Sequence, residues 1–249
     1  MYETILDSHS LTVLGLGFTL GLRHALDTDH LVAISTLVTD RRGILKTSFI
    51  GTVWGIGHTI ALLAVGSMVL AFDIAIPERI ANVMELAVAL MLIILGIRVL
   101  RTLIGGGKIH MHVHSHDGYR HVHPHVHESR EKHVAHTHHL RQWWLARKLV
   151  SLIRANARPL VVGLIHGLAG SAALMLVVLT TIQSLSLGFL YIIVFGVGSI
   201  GGMTLMSATL SLPFALTSKF EEVHRRLHWA AGALSILFGL FLGGSVLLA

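Results

Sequence analysis

The stretch "GLRHALDTDHLVAIST", residues 21–36, sets Arg23, His24, Asp27, Asp29 and His30 within eight residues of an otherwise apolar run from Leu11 to Leu37. The run is long enough to cross a hydrocarbon core about 30 Å thick as a helix. Arg or Asp at the centre of such a helix costs about 2.5–3.5 kcal/mol on insertion scales. Facing lipid, Arg23, Asp27 and Asp29 together would cost on the order of 8–10 kcal/mol. The segment can insert only if these groups face one another, a cavity or a cation.

The rest of the chain sets the membrane context. Hydrophobic residues make up 53% of the 249 and charged residues only 13%, more apolar surface than a soluble domain of this length can bury. Five further apolar stretches, 48–72, 81–100, 159–183, 186–212 and 228–248, are each long enough to span. The expected fold is all-α, a polytopic membrane protein with six transmembrane helices. No Lys or Arg precedes Leu11, so the first crossing is expected to stay as an uncleaved anchor. There is no cysteine, which excludes disulfides and thiolate metal sites.

The net charge of +6 follows the loops, which argues against a nucleic-acid partner. Arg41, Arg42 and Lys46 lie between the first and second stretches. A crowd from Lys108 to Arg158 lies between the third and fourth, and Lys219, Arg225 and Arg226 between the last two. The alternate loops offer only Arg79. Basic loops stay cytoplasmic, so both termini are expected outside a prokaryotic inner membrane.

An internal repeat is also legible. "GLRHALDTD" (21–29) aligns with "GLIHGLAGS" (163–171), "WGIGHTI" (54–60) with "FGVGSIG" (195–201), and "LIILGI" (92–97) with "SILFGL" (235–240), at offsets of 141 to 143 residues. Each match alone is weak, because Gly-rich membrane helices resemble one another. Three in order point to two copies of a three-helix unit, the second inverted because each copy has an odd number of crossings. The expected organisation is residues 1–103 as the first repeat, 104–140 as a His-rich cytoplasmic loop, 141–158 as an amphipathic interfacial helix and 159–249 as the second repeat.

The loop holds twelve of the nineteen histidines: His110, His112, His114, His116, His121, His123, His125, His127, His133, His136, His138 and His139. Its composition reads as a disordered auxiliary metal-binding tract, or more blandly as a solvated linker with incidental metal affinity.

In the first crossing, two imidazoles and one or two carboxylates with no sulfur suit Ni(II), Co(II) or Zn(II). On an ideal helix His24, Asp27 and His30 form a slanting stripe, with Asp29 pointing elsewhere. All four can reach one ion only if the helix unwinds locally. The bland alternative is an Arg23–Asp27 ion pair at i,i+4, which leaves Asp29, His24 and His30 unexplained. His58 and His166, each amid small residues in its own stretch, are either further ligands or hydrogen-bonded helix glue.

"RHALDTDH" (23–30) resembles the signature of the nickel/cobalt transporter superfamily, with Thr28 where that family has Ala. "GHT" (57–59) is similar to its Gly-His-Ser/Thr element, and "GMTLM" (202–206) to a late element, except that Ser207 replaces an Asp. "HGLAGSAAL" resembles the short six-helix urease-accessory and nickel-efflux-like members. The resemblance implies a secondary transporter of Ni(II), and also Co(II), working by alternating access. It implies metal-site roles for His24, Asp29 and His30, with Asp27 alongside and His58 as a further candidate. The expected metal set is therefore His24, Asp27, Asp29, His30, His58 and His166, with Arg23 orienting the carboxylates.

The metal would be transported substrate, with no prosthetic group. The partners would be the lipid bilayer and, beyond it, a second copy of the chain or a metallochaperone. The alternatives are a zinc transporter, or a membrane nickel donor serving urease or hydrogenase maturation. An enzyme is disfavoured: Ser171 and His166 share one helix at i,i+5 without a Gly-x-Ser-x-Gly context, and no phosphate-binding loop is present.

Overall fold

The computed structural model describes residues 8–39, 43–72, 76–104, 110–116, 119–125, 157–169, 182 and 184–248. Among them are seven helices: α1 (Ser8–His24), α2 (Thr28–Val38), α3 (Ile44–Phe72), α4 (Glu78–Ile104), α5 (Ala157–Leu168), α6 (Leu185–Thr217) and α7 (Glu221–Leu248). Four of them, α3, α4, α6 and α7, are long and apolar enough to cross a membrane; α2 and α5 are shorter apolar helices. The chain is a helical membrane protein. Large side chains such as Leu45, Met68, Ile94, Leu237 and Phe241 stand exposed on the outer faces, where hydrocarbon rather than water suits them.

The helix contacts are built on glycine. A Cβ on Gly21 of α1 would collide with the carbonyl of Phe195 in α6, and one on Gly163 of α5 with the carbonyl of Trp54 in α3. Gly198 meets Phe18 in the same way that Gly57 meets Leu160. Between α4 and α7, Gly96 lies on the Gly232 carbonyl and Gly239 on that of Ala89. Without a hydrophobic driving force between helices in lipid, such close backbone approach supplies dispersion contact that larger residues would prevent. Hydroxyls add cross-links: Thr59 Oγ1 donates to the Gly196 carbonyl at 3.2 Å, and Ser235 Oγ to that of Leu92 at 2.7 Å. A buried cluster of Val32, Ala33, Ile34, Val38, Leu92 and Met203 fills the space around α2.

Two findings alter the expectations. The run from Leu11 to Leu37 is no continuous helix: it divides into α1 and α2 across residues 25–27. Tight bonds from Leu26 N to the Arg23 carbonyl (2.8 Å) and from Asp27 N to that of His24 (3.1 Å) turn the chain, and Asp27 takes up an extended backbone (φ −61°, ψ 146°).

The second concerns the His-rich segment, expected to be disordered. It holds two antiparallel strands, β1 (His110–His116) and β2 (Tyr119–His125), in a register pairing His110 with His125, His112 with His123 and His114 with His121. The physical reason lies in the sequence. His alternating with Met and Val has the period of a strand, and Asp117-Gly118 is a strong two-residue hairpin signal. Residues 126–139, with five of the histidines, lie outside the described residues, as do the expected interfacial helix up to residue 156 and Ser171.

Candidate metal centre

The break between α1 and α2 builds the site. His24 closes α1 and His30 lies in the first turn of α2, and the turn between them brings their ring centroids to 4.4 Å. Asp27 is a favoured residue type just before a helix start, yet its carboxylate caps no helix N–H. It instead accepts a bond from His24 Nδ1 at 2.7 Å. That leaves His24 Nε2 facing His58 Nε2 of α3 at 3.1 Å. A carboxylate behind an imidazole fixes its tautomer and raises its basicity as a ligand.

Asp29 turns the other way and accepts a bond from His166 Nε2 of α5 at 2.8 Å, with His30 Nε2 3.9 Å from the same oxygen. His30 stands between the two groups, its ring centroid 4.4 Å from that of His166 and 5.1 Å from that of His58. Trp54 packs edge-on against both His30 and His166, and Phe195 lies beside His24.

Two triads result. One nitrogen each from His24, His30 and His58 lie within 4.8 Å of one another, and so do the ligand atoms of Asp29, His30 and His166. The imidazoles are buried: His24 is 4% exposed and His30, His58 and His166 are 0%. Among the described residues, both ring nitrogens of His30, Nδ1 of His58 and Nδ1 of His166 have no hydrogen-bond partner. A buried polar group left unpaired costs about 1–3 kcal/mol. Four such atoms in one buried cluster are costly unless something else engages them, and this nitrogen and oxygen set suits a borderline divalent cation.

All six expected ligands thus fall into one cluster. The stripe reading placed Asp29 apart from the others. In the structure it belongs to the second triad, because the break at residues 25–27 resets the helical phase. Arg23 departs from expectation. It is exposed and makes no ion pair among the described residues, because Asp27, past the end of α1, is drawn to His24. Trp54 was not anticipated. Its place four residues before His58, on the same face of α3, was the available signal.

Compared with known proteins, the chain is similar to the urease accessory protein UreH of Bacillus sp. (strain TB-90), with 32% identity over 230 residues, 92% of this chain and 90% of the relative. The chain belongs to the UreH family of urease accessory proteins. Membership of the UreH family bears out the resemblance of "RHALDTDH" to the nickel/cobalt transporter superfamily. UreH is named as an accessory protein, and this UreH-family chain is not an enzyme. No family profile and no solved structure matches the chain.

Proposed function

We propose that the chain is a secondary transporter of Ni(II), and also of Co(II), that holds the partly dehydrated ion as substrate among His24, Asp29, His30 and His58, with Asp27 and His166 in support. The observation that carries this reading is His30: fully buried, unpartnered at both nitrogens, and common to both triads. An ion can pass from the His24/His30/His58 triad to the Asp29/His30/His166 triad while keeping one ligand. Those triads draw on different helices, α1 and α3 against α5, with α2 shared. Movement of α5 relative to α3 then changes which triad is complete.

The scaffold for that movement is two inverted three-helix repeats giving six crossings. The reciprocal contacts support it: Gly21 on Phe195 answers Gly163 on Trp54, and Gly96 on Gly232 answers Gly239 on Ala89, each pair related by the offsets of the sequence repeat. Imidazole and carboxylate must be unprotonated to bind metal, so the same residues can return protons and couple the ion to a proton gradient. The site is placed in a prokaryotic inner membrane, with both termini outside and the His-rich segment cytoplasmic, on the distribution of basic loops.

The test is cellular content of radiolabelled nickel in cells expressing the wild type against a His24→Ala control. Wild-type cells gaining nickel makes the protein an importer; falling below the control makes it an exporter. Equal content in both sinks the nickel reading and turns attention to zinc. The name of the UreH relative favours a second reading, an accessory module that hands nickel to urease maturation. Deleting residues 108–139 separates the two. A transporter keeps its basal flux, and a donor loses function.

A further inference from the structure

Outside the central cluster, α7 carries a second pair of histidines. His224 and His228 lie four residues apart in the first two turns of α7, and their Nε2 atoms are 3.1 Å from each other with ring centroids at 4.4 Å. Two nitrogens bound to one ion at about 2.0–2.1 Å, in tetrahedral or octahedral geometry, stand about 3 Å apart. Two histidines at i,i+4 on one helix face are a standing arrangement for chelating a divalent transition metal.

The tautomer of His224 is fixed for that role. Thr217 Oγ1 donates to the Pro213 carbonyl at 2.6 Å, so toward His224 it can only accept, from Nδ1–H at 3.3 Å. His224 Nε2 therefore keeps its lone pair, directed at His228. A hydrogen bond to the rear nitrogen is what orients imidazole ligands in metal sites. The two Nε2 atoms thus face each other at a separation that one ion can bridge.

The surroundings permit the charge. Phe214 packs against both rings, at 5.4 Å from His228 and 6.4 Å from His224, and shields one side. The neighbouring Arg225 and Arg226 share Glu222, at 2.5 and 3.1 Å, which offsets one of their two positive charges. Glu221 and Glu222 also counter the positive end of α7.

Position adds a reason for the site. α4 and α7 run antiparallel, with Leu92 bonded to Ser235, and with Gly96 and Leu100 against Gly232. One further turn along each helix brings His228 level with Leu100, and the next brings His224 level with Ile104. Ile104 is the end of α4, from which the His-rich stretch departs. We infer that His224 and His228 form a peripheral site for a borderline divalent cation, Ni(II), Co(II) or Zn(II), at the end of the bundle where the His-rich segment leaves it. The site stands on its own geometry, independent of the central cluster.

The test is residue-resolved carbethoxylation of histidines in the full-length protein in detergent, read by peptide mass spectrometry with and without Ni(II), with Mg(II) as control. The expected result is that Ni(II) lowers modification of His224 and His228 at least fivefold and Mg(II) leaves it unchanged. In a His228→Ala chain, protection of His224 is lost; His228→Gln, which keeps side-chain bulk, gives the same result. Unchanged modification of the pair in the wild type with Ni(II) overturns the inference, whatever the central histidines do. Protection of His224 that survives both substitutions also overturns it, since the pair would not share the ion.

Discussion

The helices α1–α3 and their counterparts α5 and α6 use the same packing devices and hold different chemistry. Gly21 and Gly163 each rest on a facing carbonyl, and Gly57 and Gly198 do the same in return. At the position corresponding to His58, however, α6 has Ser199, whose hydroxyl donates to its own helix at the Phe195 carbonyl. At that of Trp54 it has Phe195. His24 corresponds to His166, so each side supplies one histidine near the end of its first helix, but His30, Asp27 and Asp29 come from the first side alone. Scaffold and candidate ligands are therefore separable: the glycine contacts are shared, and most of the candidate ligands lie on one side.

The largest expected effect breaks the loaded side at its pivot. His30→Ala removes the candidate ligand common to both triads, and nickel affinity, measured by equilibrium dialysis in a background lacking residues 108–139 and carrying His228→Ala, is expected to fall at least ~100-fold, since second-shell losses alone cost 10–100-fold. Comparable binding in His30→Ala and wild type would show that the two triads do not share an ion.

The next effect tests the shared scaffold. Gly21→Ala and Gly163→Ala each force a Cβ onto backbone that cannot swing aside, and each is expected to destabilise the protein by about 1–3 kcal/mol. Thermal unfolding in detergent reads both. Similar losses for the two variants sharpen the comparison; one large and one negligible loss would mean that the scaffold is shared in sequence only.

How far this was legible in the sequence divides along the same line. The clustered residues were legible because charge inside an apolar run is expensive and therefore conspicuous. His166 was legible because a motif repeated at a constant offset. The arrangement of the ligands was not. A continuous helix has one phase, and the break at residues 25–27 depends on hydrogen bonds of Leu26 and Asp27 that no periodicity reveals. Trp54 read as one more apolar residue in an apolar span. The strands of the His-rich segment were hidden by attention to composition, although the alternation was in plain view. His224 and His228 straddle the start of the last apolar stretch, and their i,i+4 spacing was the available signal.

The smallest expected effect contrasts two neighbours in the break. A continuous helix would pair Arg23 with Asp27, and removing either would then disturb the site equally. The structure instead gives Asp27 to His24 at 2.7 Å and leaves Arg23 exposed. Asp27→Asn keeps the shape, but the amide in place of the carboxylate no longer strengthens His24 as a ligand, and nickel affinity is expected to fall roughly tenfold, the low end of second-shell losses. Arg23→Gln is expected to change it less than about twofold, because an exposed charge is weakly coupled to a buried group. Isothermal titration of both variants, in the same background lacking residues 108–139 and carrying His228→Ala, decides the matter. If Arg23→Gln costs as much as Asp27→Asn, the arginine reaches the carboxylates in the ion-bound state, and the break at residues 25–27 closes toward a continuous helix when metal binds.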